Sequence, residues 1–335
     1  MDRRAIVLVG SLVLALAAYA TWWFALAASL RDGLRAWIEA RRAEGWTVAH
    51  GDIETSGFPF RLILSLPEPS IAAPGWSWSG PVLKGVVKPW GPDHVIAAVE
   101  GRQIGRLGHG EAALDFALSM ERAVASFRIA KGRASRLDLE IVAPMLDATP
   151  PGGRFAAQRV EVHYRANEGQ VADRPAGSAD IAVSAEGLRL PEGLGGPLGA
   201  DVASAAIRAR IKGDFGLERE ALARWRDDGG TIEIEGATLA WGPLDARLDA
   251  TLALDKAWRP IGAGTLRARG YDKTIDAVEA ARLLRPVEAQ LLRLALATRA
   301  KRDGDPRAFV DLPATAQDGR LFVGPVPVLR LQPLF

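Results

Sequence analysis

Histidine and acidic side chains are the groups that could perform acid–base or metal chemistry, and their spacing predicts neither. No histidine has another three or four residues away, as a zinc-binding helix requires; the four are His50, His94, His109 and His163. The chain has no cysteine, which excludes disulfides, thiolate metal sites and cysteine nucleophiles. His163 lies among charged residues of an alternating segment, where we expect a solvated side chain.

The acidic residues and glycine motifs also form no recognisable catalytic set. Glu233 and Glu235 share one face of a predicted strand, but that face is the charged, solvated one. The segment DGDP at residues 303–306 has too few carboxylates for a calcium loop. No nucleophile elbow, phosphate loop or dinucleotide-binding glycine motif follows a predicted strand. The sequence therefore predicts that the protein is not an enzyme and holds no cofactor or metal.

The composition favours a large folded body over a nucleic-acid-binding protein. The 335 residues are 48% hydrophobic, which is enough for a real core, and the formal net charge is only +2. The basic residues are scattered among apolar ones, and no recognition motif accompanies them. We therefore expect no nucleic-acid partner.

The segment SGFPFRLILSL at residues 56–66 is the candidate ligand-contact segment. Its glycine can adopt a left-handed backbone, and its proline fixes φ and lacks an N–H, which favours a bend between two strands, the second at residues 60–66. Direct contact of its apolar residues with a ligand is the alternative. The candidate lipid-facing residues are Phe58, Phe60, Leu62, Leu64 and Leu66.

The N-terminus predicts a membrane anchor. Residues 5–30 carry no charge, and roughly 20 apolar residues suffice to span a bilayer as a helix. Arg3 and Arg4 precede the span and Trp22, Trp23 and Phe24 lie toward its far end, which favours a cytoplasmic N-terminus. A cleaved signal peptide is the alternative, because Ala-Leu-Ala at residues 25–27 fits a cleavage site. The apolar run is longer than a signal core, so we expect an uncleaved anchor.

After the anchor, the pattern changes from helical to alternating. Residues 31–45 continue as a short juxtamembrane helix that ends at Gly45. From Trp46 onward apolar and polar residues alternate, as in strands with one apolar and one solvated face, for example at residues 136–141, 159–165 and 207–212. Two helical segments interrupt the strands at residues 217–228 and 274–302, and Pro286 predicts a kink or break near Arg285 in the second.

A group of motifs resembles a known bacterial family. The anchor leads to GWTVAHGDIETSGFPFRL, followed by GWSW at residues 75–78 and KPWGPDHVI at residues 88–96, and the chain closes on GRLFVGPVPVLRL. Over nearly its whole length the chain resembles the domain of unknown function 2125 family, which is itself similar to the AsmA-like envelope proteins. The resemblance implies an inner-membrane helix followed by long, curved β-sheets with an apolar concave side, and a superfamily role in phospholipid movement. It transfers no catalytic or ligand residues.

These observations predict a mainly β fold with a few helices. Its parts are a cytoplasmic tip (residues 1–4), a transmembrane helix (5–30), a juxtamembrane helix (31–45) and an exported β-rich domain (46–335). The domain is expected to hold a long, curved, mostly antiparallel sheet, shaped as a half-barrel or groove, and one long amphipathic helix near the C-terminus.

Two functions are compatible with this fold. The first is an inner-membrane protein facing the periplasm that handles phospholipid along an apolar groove, with membrane lipid as its partner. The second is a structural or interaction module of the envelope with a closed core, no lipid ligand and an envelope protein as partner. An exposed apolar groove much larger than a few hundred Å² favours the first function, and a tightly filled interior favours the second.

Overall fold

A single long helix begins the fold. The computed structural model describes residues 3–110, 113–130, 133–149, 152–167, 178–216 and 219–333. Helix α1 (Arg3–Ala43) runs without a break through the predicted transmembrane and juxtamembrane segments. At about 1.5 Å per residue, its 41 residues extend over roughly 60 Å. It ends near the predicted stop, where Gly45 has φ +86° and the Trp46 N–H donates to the Arg41 carbonyl oxygen at 3.0 Å.

The chain divides into two compact units, and each is described by itself. Unit 1 consists of residues 1–132 and 148–152, and unit 2 of residues 133–147 and 153–335. The body that the sequence predicts as one exported domain therefore contributes to both units. One strand, β10 (Met145–Thr149), is divided between them.

Unit 1 is built from α1 and eight strands. The strands are β1 (Thr47–Ala49), β2 (Glu54–Ser56), β3 (Leu62–Pro67), β4 (Ser70–Ala73), β5 (Trp76–Ser79), β6 (Val82–Lys88), β7 (Gly91–Leu107) and β8 (Leu114–Ala130). Antiparallel pairing joins β2, β3, β6, β7 and β8 in that order, and β1, β4 and β5 join the same ladder through β7.

The core of unit 1 lies between α1 and the β3–β6–β7 face. Leu62 stands opposite Val87, and Val87 opposite Val95, so these residues share one face of the pleated sheet. Trp23 and Ala27 of α1 pack against this face and form a buried cluster with Leu62 and Val87.

Among its described residues, unit 2 contains most of the remaining strands and three α-helices. The strands are β9 (Arg133–Val142), β11 (Gly153–Ala156), β12 (Arg159–Ala166), β13 (Ala179–Arg189), β14 (Asp201–Lys212), β15 (Thr231–Trp241), β16 (Leu244–Leu254), β17 (Pro260–Arg269), β18 (Phe309–Gln317), β19 (Arg320–Val323) and β20 (Val326–Arg330). The helices are α2 (Arg219–Asp227), α3 (Tyr271–Ala280) and α4 (Pro286–Ala297).

The strands of unit 2 form an antiparallel meander. From β12 to β20 each strand pairs with the next one, β9 pairs with β12, and β11 pairs with β13 through a single residue pair. In the described residues no pairing joins β9 to β20, so this sheet is open and not a closed barrel. The predicted class, mainly β with an N-terminal apolar helix and a mostly antiparallel, unclosed sheet, is confirmed.

The helical predictions for unit 2 hold with one correction. Helix α2 lies within the predicted segment 217–228 and buries Leu222 and Trp225, whereas Leu217 lies outside the described residues. The long amphipathic helix predicted for residues 274–302 is two helices, α3 and α4, and the break that was predicted near Arg285 is confirmed. Arg285 has extended backbone angles, φ −75° and ψ 150°, because the ring of Pro286 disfavours a helical conformation in the residue before it.

Candidate functional site

The SGFPF motif forms the turn of the β2–β3 hairpin. Gly57 has φ +97°, and the Arg61 N–H donates to the Gly57 carbonyl oxygen at 2.9 Å. A Cβ at position 57 would lie 2.8 Å from the Arg61 carbonyl oxygen, so both backbone angle and space require glycine there. Phe58, Pro59 and Phe60 occupy the turn, and β3 begins only at Leu62. The bend predicted from the glycine and proline is therefore a tight hairpin, and the strand starts two residues later than predicted.

Helix α1 holds this turn through aromatic side chains. The Tyr19 hydroxyl donates to the Pro59 carbonyl oxygen, and Trp23 Nε1–H donates to the Arg61 carbonyl oxygen at 3.1 Å. The Phe58 ring lies 5.4 Å from the Trp23 ring, edge-on, and stacks on Phe24 at 5.8 Å between ring centroids. These contacts attach the turn to the part of α1 that the sequence predicts at a membrane–water interface.

The five candidate lipid-facing residues occupy different environments. Phe58 and Phe60 in the turn are 51% and 71% exposed. Leu62 is only 1% exposed beneath Trp23, and Leu64 packs partly buried against the same cluster. Leu66 is half-buried. Lipid contact by Leu62 would require α1 to leave the sheet, so Phe58 and Phe60 are the two accessible candidates of the five.

A further exposed aromatic residue lies at the same end of the unit 1 strands. The KPWG segment is the turn between β6 and β7, where Lys88 pairs with Gly91 and Trp90 is 63% exposed. Since Leu62 and Val87 are paired, the turn before β3 and the turn after β6 leave the sheet at one end. Trp90 was not identified as a candidate from the sequence, although it lies in the KPWGPDHVI segment that carries part of the resemblance.

Unit 2 presents an apolar row that crosses eight strands. Cross-strand register places its members directly opposite one another, in the order Leu139, Val162, Val183, Ile207, Ala237, Leu248, Leu266 and Leu312. None of the eight is buried, and Ile207 is 36% exposed. We call the side of the unit 2 sheet that carries this row the open face.

In the part of the chain that the structure describes, helices cover the open face at opposite ends of its strands. At one end, Leu222 and Trp225 of α2 form a buried cluster with Ile211 and Leu254. Trp225 Nε1–H donates to the Lys212 carbonyl oxygen at 2.7 Å, which satisfies its polar atom. At the other end, α3 and α4 form a buried cluster with the sheet through Tyr271, Ile275, Ala289, Leu296, Ala268 and Val310.

The opposite side of the unit 2 sheet carries charges that neutralise one another. Arg210 Nε donates to Asp180 at 2.9 Å and its Nη1 lies 2.9 Å from Glu235. The Arg136 guanidinium, which donates to Asp138 at 2.6 Å, holds the pKa of that carboxyl below its usual range, and His163 adds a bond of 2.8 Å. A shallow cavity of about 250 Å³ lies among these groups. Exposed ion pairs of this kind are typical of a solvated sheet surface, as the sequence predicts for His163.

The comparisons with known proteins assign no chemistry to either region. A family model described as "Uncharacterized protein conserved in bacteria (DUF2125)" matches residues 23–332. No curated protein and no solved structure matches the chain. In the described residues no group of three or more histidine, aspartate or glutamate side chains could hold a metal ion. The further similarity to AsmA-like envelope proteins stays an expectation.

Proposed function

Because the chain belongs to the DUF2125 family of bacterial proteins, whose description gives no activity, we propose a function from the geometry. The protein is a single-pass inner-membrane protein whose β-rich body faces the periplasm and holds phospholipid acyl chains against the open face. The observation that carries this proposal is the apolar row of eight strand residues, none of which is buried. Contiguous apolar surface of this kind on a water-exposed protein marks a binding site for an apolar ligand or partner.

The position of α1 supports an uncleaved anchor. The helix is long and apolar enough to cross a membrane. Trp23 and Ala27, which precede or occupy the cleavage site considered above, are both part of the buried cluster of unit 1. Cleavage after residue 27 would remove them and expose Leu62 and Val87 to water. Arg3 and Arg4 before the apolar span support a cytoplasmic N-terminus.

Site-specific photocrosslinking tests whether lipid contacts the open face. A benzophenone amino acid replaces Ile207 in the full chain, and a matched protein carries it at Arg208, which points to the opposite side of the same strand. After irradiation of intact cells, mass spectrometry of the purified protein should find a phospholipid adduct at position 207 and much less at 208. Equal adducts at both positions, or none at either, would refute the proposal.

A second candidate function rests on helix α4. Leu283 before the helix and Val287, Leu291 and Leu294 within it are 62–68% exposed, and the last three follow helical spacing. An exposed apolar stripe suits docking of a partner protein, as expected for an interaction module. A benzophenone amino acid at position 291 should then crosslink to a protein, whereas the same group at Lys273, an exposed position of α3 outside the stripe, should not. Protein adducts at 291 with no lipid adduct at 207 would favour this second function.

A further inference from the structure

Unit 1 contains a cavity of about 300 Å³ between α1 and the β2–β3 turn. One wall comes from α1 and the other from the end of β2 and the turn. The lining residues are Trp23, Phe24, Ala27, Ala28 and Arg31 on the helix, and Thr55, Ser56, Gly57 and Phe58 opposite. The small side chains of Ala27 and Ala28 create this cavity, because larger side chains on that side of α1 would fill it. The lining includes one cation and no acidic residue.

Two polar atoms in this lining are buried and have no hydrogen-bond partner among the described residues. They are Arg31 Nε and Thr55 Oγ1. A buried polar atom without a partner costs free energy, so such atoms indicate a missing ligand or solvent. The neighbouring acid does not serve Arg31, since Asp32 pairs with Arg35 at 3.4 Å. A guanidinium N–H and a hydroxyl both donate, and the group that accepts from both is an anion such as phosphate.

The position of Arg31 along α1 matches the headgroup layer of a bilayer. Between Arg4 and Arg31 lie 26 uncharged residues, which extend over about 39 Å as a helix. A bilayer with its headgroup regions is about 40–45 Å thick. With Arg4 at one surface, Arg31 reaches the other, and a helical side chain points back toward the N-terminus and thus toward the membrane. Trp23, Phe24 and Phe58 then lie at the membrane–water interface, on the acyl-chain side of the guanidinium.

We propose that this cavity binds the phosphate of an anionic phospholipid from the outer leaflet of the membrane that α1 crosses. Arg31 and Thr55 donate to phosphate oxygens, and the aromatic rings contact the glycerol and upper acyl chains. A zwitterionic headgroup binds less well, because the lining has no carboxylate for its ammonium group. The proposal rests on insertion of α1 in the membrane, which is part of the proposed function, and not on lipid binding at the open face.

Native mass spectrometry of the full chain released from mild detergent tests the site. Phosphatidylglycerol, phosphatidylcholine and inorganic phosphate are titrated separately. We expect tighter binding of phosphatidylglycerol than of phosphatidylcholine. The substitution Arg31→Gln should weaken phosphatidylglycerol binding about tenfold or more, the size expected for loss of a charge-assisted hydrogen bond. Thr55→Val should weaken it severalfold.

Two further variants separate the site from general charge effects. Arg102→Gln removes the same charge from an exposed position of unit 1 outside the cavity lining, and should leave the affinity unchanged. Ala28→Leu fills the cavity without changing charge and should abolish binding. Equal losses for Arg31→Gln and Arg102→Gln, undiminished binding to Ala28→Leu, or equal affinity for the two lipids would overturn the proposal.

The remaining outcomes distinguish the sources of phosphate and the two proposals. Displacement of phosphatidylglycerol by inorganic phosphate at comparable concentration would identify a free-phosphate site and refute the lipid proposal. Absence of phosphatidylglycerol binding to the cavity, together with lipid adducts at position 207, would refute this proposal and still support the proposed function. Retained phosphatidylglycerol binding with no adduct at 207 would refute lipid holding at the open face alone.

Discussion

The two units present apolar sheet faces that look alike in sequence and differ in what covers them. In unit 1 the β3–β6–β7 face lies under α1, and Leu62 is almost completely buried. In unit 2 the described helices reach the corresponding row at Leu312 only, and Ile207 remains more than one-third exposed. Alternation therefore fixes which residues share a face, whereas the element that covers the face is contributed by a distant part of the chain. A filled core and an open apolar surface therefore arise from one sequence pattern.

Leu62→Ala should produce the largest loss of stability, because it removes a side chain from the covered face. A buried leucine replaced by alanine costs about 2–5 kcal/mol, with the spread set by how far the cavity collapses. Urea unfolding of the full chain in detergent, followed by tryptophan fluorescence, measures the change. A loss below about 1 kcal/mol would show that α1 does not pack on β3 and would remove the contrast between the units.

Gly57→Ala should have the next largest effect, because it tests the turn that α1 holds on the covered side. The substitution forces alanine to φ +97° and places its Cβ 2.8 Å from the Arg61 carbonyl oxygen. Strain of this kind costs about 1–3 kcal/mol. Gly45→Ala is the matched control, since Gly45 has φ +86° with no atom within 4 Å of the added Cβ. Equal losses for the two variants would mean that the turn is not tightly packed.

Ile207→Ala should cost about 1 kcal/mol or less, since no covering side chain is lost and no closed cavity forms. The same urea experiment compares it directly with Leu62→Ala. A loss as large as that of Leu62→Ala would mean that the open face is covered in solution. A benzophenone amino acid at the neighbouring position 183 should nevertheless give fewer lipid adducts in this variant than in the unsubstituted protein, because the apolar row is interrupted.

An ion pair on the charged side of unit 2 should contribute least to the free energy of unfolding, and its contribution depends on pH. The Arg267 guanidinium, 2.9 Å away, lowers the pKa of Asp311, and Lys301 adds a bond of 3.1 Å. A carboxyl with a lowered pKa contributes stability above its unfolded pKa near 4 and loses it as the pH falls through the folded value. Asp311→Asn should therefore reduce the acid sensitivity of unfolding, by a few tenths of a kcal/mol for a pair this exposed. Unfolding curves measured between neutral and acidic pH check this expectation, and an unchanged acid sensitivity would contradict it.

Local patterns predicted the elements of this fold well. Strict alternation at residues 136–141 and 159–165 corresponds to β9 and β12, and Pro286 marks the start of α4. These features depend on neighbouring residues only. The start of β3 was placed two residues early, because alternation alone does not reveal that Phe60 belongs to the turn.

Long-range contacts explain what the sequence could not predict. Trp23 looked like an interfacial aromatic residue, and only the folded chain brings its indole N–H to the Arg61 carbonyl oxygen. Arg31 and Thr55 are 24 positions apart and share no motif, so nothing local indicates that both line one cavity. The helical spacing of the apolar residues in α4 was visible in the sequence. Which of these residues face the sheet depends on how α3 and α4 pack together.

The unbroken course of α1 has a mechanical consequence. The helix is fixed to unit 1 at two levels, by Tyr19 and Trp23 at the β2–β3 turn and by Arg42, whose guanidinium donates to the Val48 carbonyl oxygen of β1 at 2.7 Å. A helix held by contacts at two levels cannot rotate independently of unit 1. In the proposed membrane-spanning arrangement, α1 adjusts to bilayer thickness by tilting, and the β1–β8 sheet tilts with it as one rigid body. Thickness of the surrounding membrane would thus set the angle at which unit 1 stands above its surface.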